Sequence, residues 1–151
     1  MERQYQDIFD EIQEVFGESK LQPAQYSALA LAYIGDAVYD LIIRTIVIDL
    51  GAGHVKNFHR MTSAVVKAES QAQLVKVLED CLTEEETAYF RRGRNAKSAT
   101  SAKNASIVDY RIATGFEALV GYWYLTHQMD RAMHLIREGL IETGQMPQKA
   151  K

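Results

Sequence analysis

Proline is nearly missing from this chain of 151 residues, with two in all, and cysteine occurs once. Scarce proline beside abundant Ala, Leu, Glu, Gln and Lys favours helices over strands. A lone cysteine cannot form an internal disulfide, which excludes a disulfide-stapled scaffold and suits a reducing cytoplasm. Cys81, in LVKVLEDCL, is expected to pack as a small apolar residue. No apolar run is clean enough for a membrane span, since the longest, residues 29–48, holds Asp36, Asp40 and Arg44. The N-terminal stretch MERQYQDIFDEIQEVFG lacks the basic start and apolar core of a secretory signal. The histidines at 54, 59, 127 and 134 lack the i, i+4 spacing of a helical zinc pair and have no cysteine partners. Serine or cysteine nucleophile motifs, phosphate-binding glycine loops, repeats, linkers and alternating strand patterns are all missing. What remains is an expected soluble, cytoplasmic, all-α chain, a single domain over 1–151 with enough apolar residues (47%) to bury a core.

The helices can be placed from periodicity and caps. Tyr5, Ile8, Phe9, Ile12 and Phe16 draw one stripe, predicting a helix over 4–16 that Gly17 caps. Pro23 suits the first turn of a long, largely buried helix over 24–50. Residues 54–82 read as one long helix or two abutting ones, with an apolar stripe at 58, 61, 65, 68, 72, 75 and 78. Thr83 and Glu86 have the form of a capping box opening a helix to about residue 92. Ser106 with Asp109 is expected to cap a helix running to about 126. A last helix covers about 128–142, and 143–151 reads as a frayed tail.

The net charge of −3 does not by itself suggest a polyanionic partner, but its distribution does. No acidic residue falls between Glu86 and Asp109, where Arg91, Arg92, Arg94, Lys97 and Lys103 all lie. Cations at a helix end favour the helix dipole, which is one account of them. They continue, however, with Asn95, into a Gly/Ser/Ala-rich loop over 93–104 where the dipole gives no reward. Arg, Lys, Asn and Ser are the residues that contact phosphates, so nucleic acid is the other account.

Two carboxylates interrupt otherwise apolar helices. Asp36, in LALAYIGDAVYDLIIRTIVI, has no basic residue at i±3 or i±4 and follows Gly35. Glu117, in TGFEALVGYWYL, is equally isolated and lies between Gly115 and Gly121. Buried carboxylates without a partner are costly, so each needs a distant partner or a cation. Isolated carboxylates beside glycines fit a hard cation bound by oxygen, Mg²⁺ above all because it keeps several waters. Helix glue with closely packed glycines is the alternative. Asp40, one turn from Asp36, has Arg44 at i+4 as a salt-bridge partner.

These motifs carry a resemblance. ALAYIGDAVYD resembles the signature helix of the class III ribonucleases, and TGFEALVGYWYL resembles their second motif. MTSAVVKAESQAQLV is similar to the family's central helix. With RRGRNAKS and DYRIATGFEAL, the match is to the Mini-ribonuclease III branch, which consists of the nuclease domain without a separate double-stranded-RNA-binding domain. The resemblance implies a ribonuclease III endonuclease-domain fold, a homodimer, and Mg²⁺-dependent cleavage of double-stranded RNA, with precursor 23S ribosomal RNA ends as the substrate. It implies Asp36 and Glu117 as catalytic metal ligands, with Asp40 as added charge. Arg91, Arg92, Arg94, Asn95, Lys97 and Lys103 would hold RNA, and ribosomal proteins or the assembling large subunit are further partners to consider. Two of the family's usual four carboxylates are replaced, by Ala32 and Thr114. That departure keeps open a non-catalytic RNA- or ribosome-binding protein of the same fold, and a helical protein–protein adaptor is the remaining rival.

Overall fold

The computed structural model describes residues 7–18, 21–51, 53–96 and 106–148. These form seven α-helices: α1 Ile8–Phe16, α2 Ala28–Asp49, α3 Val55–Val66, α4 Ala68–Leu78, α5 Glu84–Arg94, α6 Ile107–Leu125 and α7 Met129–Glu142, with no strand among the described residues. No helix among them is long and apolar enough to cross a membrane.

Local chemistry sets most helix ends. Ser27, Thr83 and Ser106 cap α2, α5 and α6 by accepting from backbone N–H groups three residues on. The predicted capping box at Thr83 and Glu86 is present in both directions. Gly17 ends α1 at φ 103°. One boundary differs from expectation: Pro23 opens only a short 3-10 turn, and the long helix waits for the Ser27 cap. Of the two readings of 54–82, the two abutting helices are found, broken where Lys67 turns to an extended ψ of 155°.

The core is built around α6, which packs against α2, α4, α5 and α7. Ala113 to Trp123 is buried except at Glu117, which is half-buried. A helix covered on nearly every side needs apolar residues all round, which is why α6 shows no clean amphipathic stripe. Tyr39 of α2 meets Phe116 of α6 edge to face, with ring centroids 5.0 Å apart.

A buried polar junction ties α5, α6 and α7. Glu86, only 1% exposed, accepts from Trp123 Nε1 at 2.6 Å and from Arg131 Nε and Nη2 at 2.6 and 2.8 Å. Burial pushes the Glu86 carboxyl up, but the hydrogen bonds from Arg131, Thr83 and Trp123 outweigh it and hold the acid at about 2.

One expectation is corrected: Cys81 is exposed, at the end of a 3-10 turn whose carbonyl accepts from Arg131. The helix expected at α1 is present, with its stripe largely open: Ile8, Ile12 and Phe16 are exposed, and Phe9 packs against Tyr124 and His127. Tyr5 lies outside the described residues. Past α7, the Gln145 side chain donates to the Ser70 carbonyl and Met146 packs on the core.

Candidate active site

The site begins with two glycines. A Cβ at Gly35 would stand 1.7 Å from the Glu117 carbonyl oxygen, and one at Gly121 would stand 2.1 Å from that of Leu31. Only glycine lets the main chains of α2 and α6 touch in this way. A second pair, Gly93 and Gly115, does the same for α5 and α6. The close packing anticipated for Gly35, Gly115 and Gly121 is therefore present, and it has a consequence for the residues beside them.

Asp36 follows Gly35 on α2, so the crossing brings its carboxylate beside Glu117. Burial raises the Glu117 carboxyl, and the neighbouring Asp36 raises it further, to about 9 from an ordinary 4.5. The Gln71 carboxamide of α4 opposes the rise. Two carboxylates in contact repel when both are ionised, and a proton or a cation relieves that repulsion. Asp36 is exposed, so the pair opens to solvent.

The surrounding candidates are placed as follows. Asp40 forms its i+4 salt bridge to Arg44, at 2.6 Å. Thr114, one turn before Glu117, is buried and donates its hydroxyl to the Tyr110 carbonyl at 2.9 Å. Ala32 is buried, 7% exposed. A different acidic group, Asp7, Asp10 and His127, also has ligand atoms within 4.8 Å of one another. There Asp7 caps α1 and Asp10 bonds His127 at 2.8 Å, so internal partners account for it.

Of the predicted phosphate contacts, Arg91, Arg92 and Arg94 sit on the last turn of α5 and Asn95 is its C-cap. Arg91 and Arg92 lie on the helix as expected, and Arg94, expected in the loop, stands on its last turn as well. Arg92 reaches the Tyr26 carbonyl at 2.8 Å and lies over the Tyr89 ring, while Arg94 lies over Phe90. Lys97 and Lys103 lie outside the described residues. Sequence reasoning missed two neighbours. Arg111 faces Arg94 and Asn95 across a hollow of about 360 Å³ lined also by Val108 and Ile112. Gln71 adjoins position 72 of the α4 stripe, and only its burial sets it apart from a surface glutamine.

Comparison with known proteins bears on the family and the fold. Residues 29–128 match the family described as Ribonuclease III domain. The chain is similar to Mini-ribonuclease 3 of Enterococcus faecalis, 45% identical over 127 residues, which are 83% of this chain and 96% of that one. It is similar also to Mini-ribonuclease 3 of Clostridium tetani, 47% identical over 114 residues, covering 75% and 76% of the two chains. A crystal structure of a Fusobacterium nucleatum protein superposes with a TM-score of 0.72 at 28% identity, over 80% of this chain and 94% of that one.

Proposed function

The chain belongs to the ribonuclease III family, is an endoribonuclease of the Mini-ribonuclease 3 branch, and from that premise we propose that it hydrolyses double-stranded RNA at Asp36 and Glu117 with Mg²⁺. The contact between those two carboxylates, on helices whose backbones touch, is the observation that carries the reading.

The donor set fits the ion. Asp36 and Glu117 supply hard oxygen ligands, few enough to leave room for the waters Mg²⁺ retains. A bound Mg²⁺ lowers the pKa of a water and stabilises charge that develops on the phosphate. The protein's own part is to bring the two carboxylates together where α2 and α6 cross, so that Asp36 and Glu117 would hold the ion between them. No side-chain nucleophile is required of the chain.

The arginines of α5 would hold RNA phosphates beside this site, with Arg111 continuing the positive edge. Double-stranded RNA is read mainly by shape, 2′-hydroxyls and phosphates, which such an edge can supply. Cutting two strands requires two sites, and a two-fold dimer provides them. An exposed apolar stripe on α2, Leu29, Tyr33, Leu41 and Ile48, supports that assembly. The family resemblance makes precursor 23S ribosomal RNA ends the substrate to try first.

The test pairs chemistry with folding. Asp36→Asn and Glu117→Gln should each abolish Mg²⁺-dependent cleavage of duplex RNA while circular dichroism stays at the wild-type signal. Cleavage near the wild-type rate by either variant would remove that residue from the site.

A further inference from the structure

Arg92 is an exposed side chain on the last turn of α5, yet its head group is held in place. Its Nη2 donates to the Tyr26 carbonyl at 2.8 Å, across 66 residues of sequence. Its guanidinium carbon stands 5.3 Å from the centroid of the Tyr89 ring. Tyr89 in turn stacks on Tyr122 of α6, with centroids 4.1 Å apart and planes 16° from parallel. The guanidinium therefore meets a ring and a carbonyl at once, which suits its planar fork and which a lysine could not copy.

The place of this tie gives it a consequence. Tyr26 ends the short 3-10 turn in extended backbone, and the next residue, Ser27, caps α2. Further along, α2 meets the main chain of α6 at Leu31 and Gly35, one turn apart. Contact over a single turn sets how close two helices come and leaves their angle loosely fixed. Arg92 stands beside Gly93, where α5 itself is pressed onto α6 at Gly115. α5 is thus a firm base, and Arg92 gives α2 a second point of attachment, about two and a half turns before Asp36. Phosphate binding alone does not call for this geometry, since it takes a donor away from the phosphates and spends side-chain freedom on a main-chain carbonyl.

We infer that Arg92 is a positioning residue for the reaction: it ties the start of α2 to α5 and so keeps Asp36 in register with Glu117, while its remaining N–H groups are left for the phosphate edge. The inference rests on the reading of Asp36 and Glu117 as the catalytic carboxylates. A displacement of about 1 Å at a reacting centre can cost 100-fold in rate, so a helix loosened at one end is expected to cost about tenfold.

Arg91→Ala is the comparison, because it removes the same charge from the same turn. Without RNA, hydrogen–deuterium exchange over residues 28–35 of the full chain should quicken by about tenfold or more in Arg92→Ala, as the loss of a charge-assisted hydrogen bond predicts, and should not change in Arg91→Ala. At saturating duplex RNA and Mg²⁺, kcat should fall about tenfold further in Arg92→Ala than in Arg91→Ala, with KM alike in the two. Equal kcat in the two variants would overturn the inference and leave Arg92 to the phosphates, and so would wild-type exchange in Arg92→Ala. If Arg92→Ala does not fold, Arg92→Lys, which keeps the charge and loses the fork, takes its place with the same outcomes. Asp36→Asn separates the two readings: if it cuts as wild type does, the carboxylate reading has failed and this inference falls with it, whereas equal kcat in the arginine variants beside an inactive Asp36→Asn overturns this inference alone.

Discussion

Replacing Gly35 by alanine adds one methyl group where two main chains meet. In an open helix the change would stabilise by up to about 1 kcal/mol. Here the new Cβ would stand 1.7 Å from the Glu117 carbonyl oxygen and 2.7 Å from the Gly121 nitrogen. Backbone atoms cannot rotate away, so α2 and α6 must part by more than an ångström. Overpacked cores lose about 1–3 kcal/mol, and a main-chain obstacle puts this site at the upper end. A net loss of about 2 kcal/mol is expected, equivalent to about 4–8 °C in a domain of this size. The same separation draws Asp36 away from Glu117, and a misplacement of about 1 Å can cost 100-fold in rate. Thermal melting and duplex-RNA cleavage at saturating Mg²⁺ should be measured together. Gly139→Ala is the control, since its Cβ would meet the end of the Leu74 side chain, which can yield. A Gly35→Ala variant that melts with wild type and cuts at its rate would refute the claim that the crossing sets the site.

Glu117 holds a proton in the fold up to about pH 9, whereas the unfolded chain releases it near 4.5. Metal-free stability from this group is therefore full below about 4.5 and is lost as pH rises toward 9; Glu117→Gln should gain on wild type in melting temperature over that window, and a constant difference would refute the sign. Arg131→Met strands the buried Glu86 carboxylate and should cost about 3–5 kcal/mol in a urea titration at pH 7; a loss under 1 kcal/mol would show that Glu86 finds another partner. Arg91→Ala and Arg94→Ala should each flatten the salt dependence of RNA binding by about 0.7–0.9 log units for each phosphate that is no longer neutralised, with turnover at saturating RNA much less affected; an unchanged slope would turn α5 away from the substrate. Tyr33, at 83% exposure the most open residue of the α2 stripe, should break the proposed dimer when changed to Asp, and light scattering that finds wild type already monomeric would refute the two-site reading.

Legibility in the sequence followed the range of each interaction. Caps at Thr83 and Ser106 could be read because both partners lie within one turn. Asp36 and Glu117 could be singled out because each lacks a local cation, and the glycines near them hinted at close packing. That the same packing joins the two carboxylates required the crossing of α2 and α6. The Glu86 junction was hidden, since Arg131 lies 45 residues away and the capping box already gave Glu86 a role. Gln71 was hidden because a single glutamine beside an apolar stripe reads as a boundary residue. The break at Lys67 carries no proline or glycine to announce it. Periodicity gave the helix at α1, but its apolar stripe faces outward over most of its length; a stripe specifies that a face is apolar, not what covers it.

Because α6 is enclosed by α2, α4 and α5 and touched by main chain at two glycine crossings, its amides should be the last in the molecule to exchange with deuterium. Local opening reaches segments with little buried surface and leaves such a helix to global unfolding. Glu117 therefore sits in the slowest-exchanging part of the chain, while the exposed end of α1 can fray without disturbing it. Cation-binding capacity and the fold should disappear in a single step on denaturation, with no folded form that has lost the site and no residual site in a partly opened form.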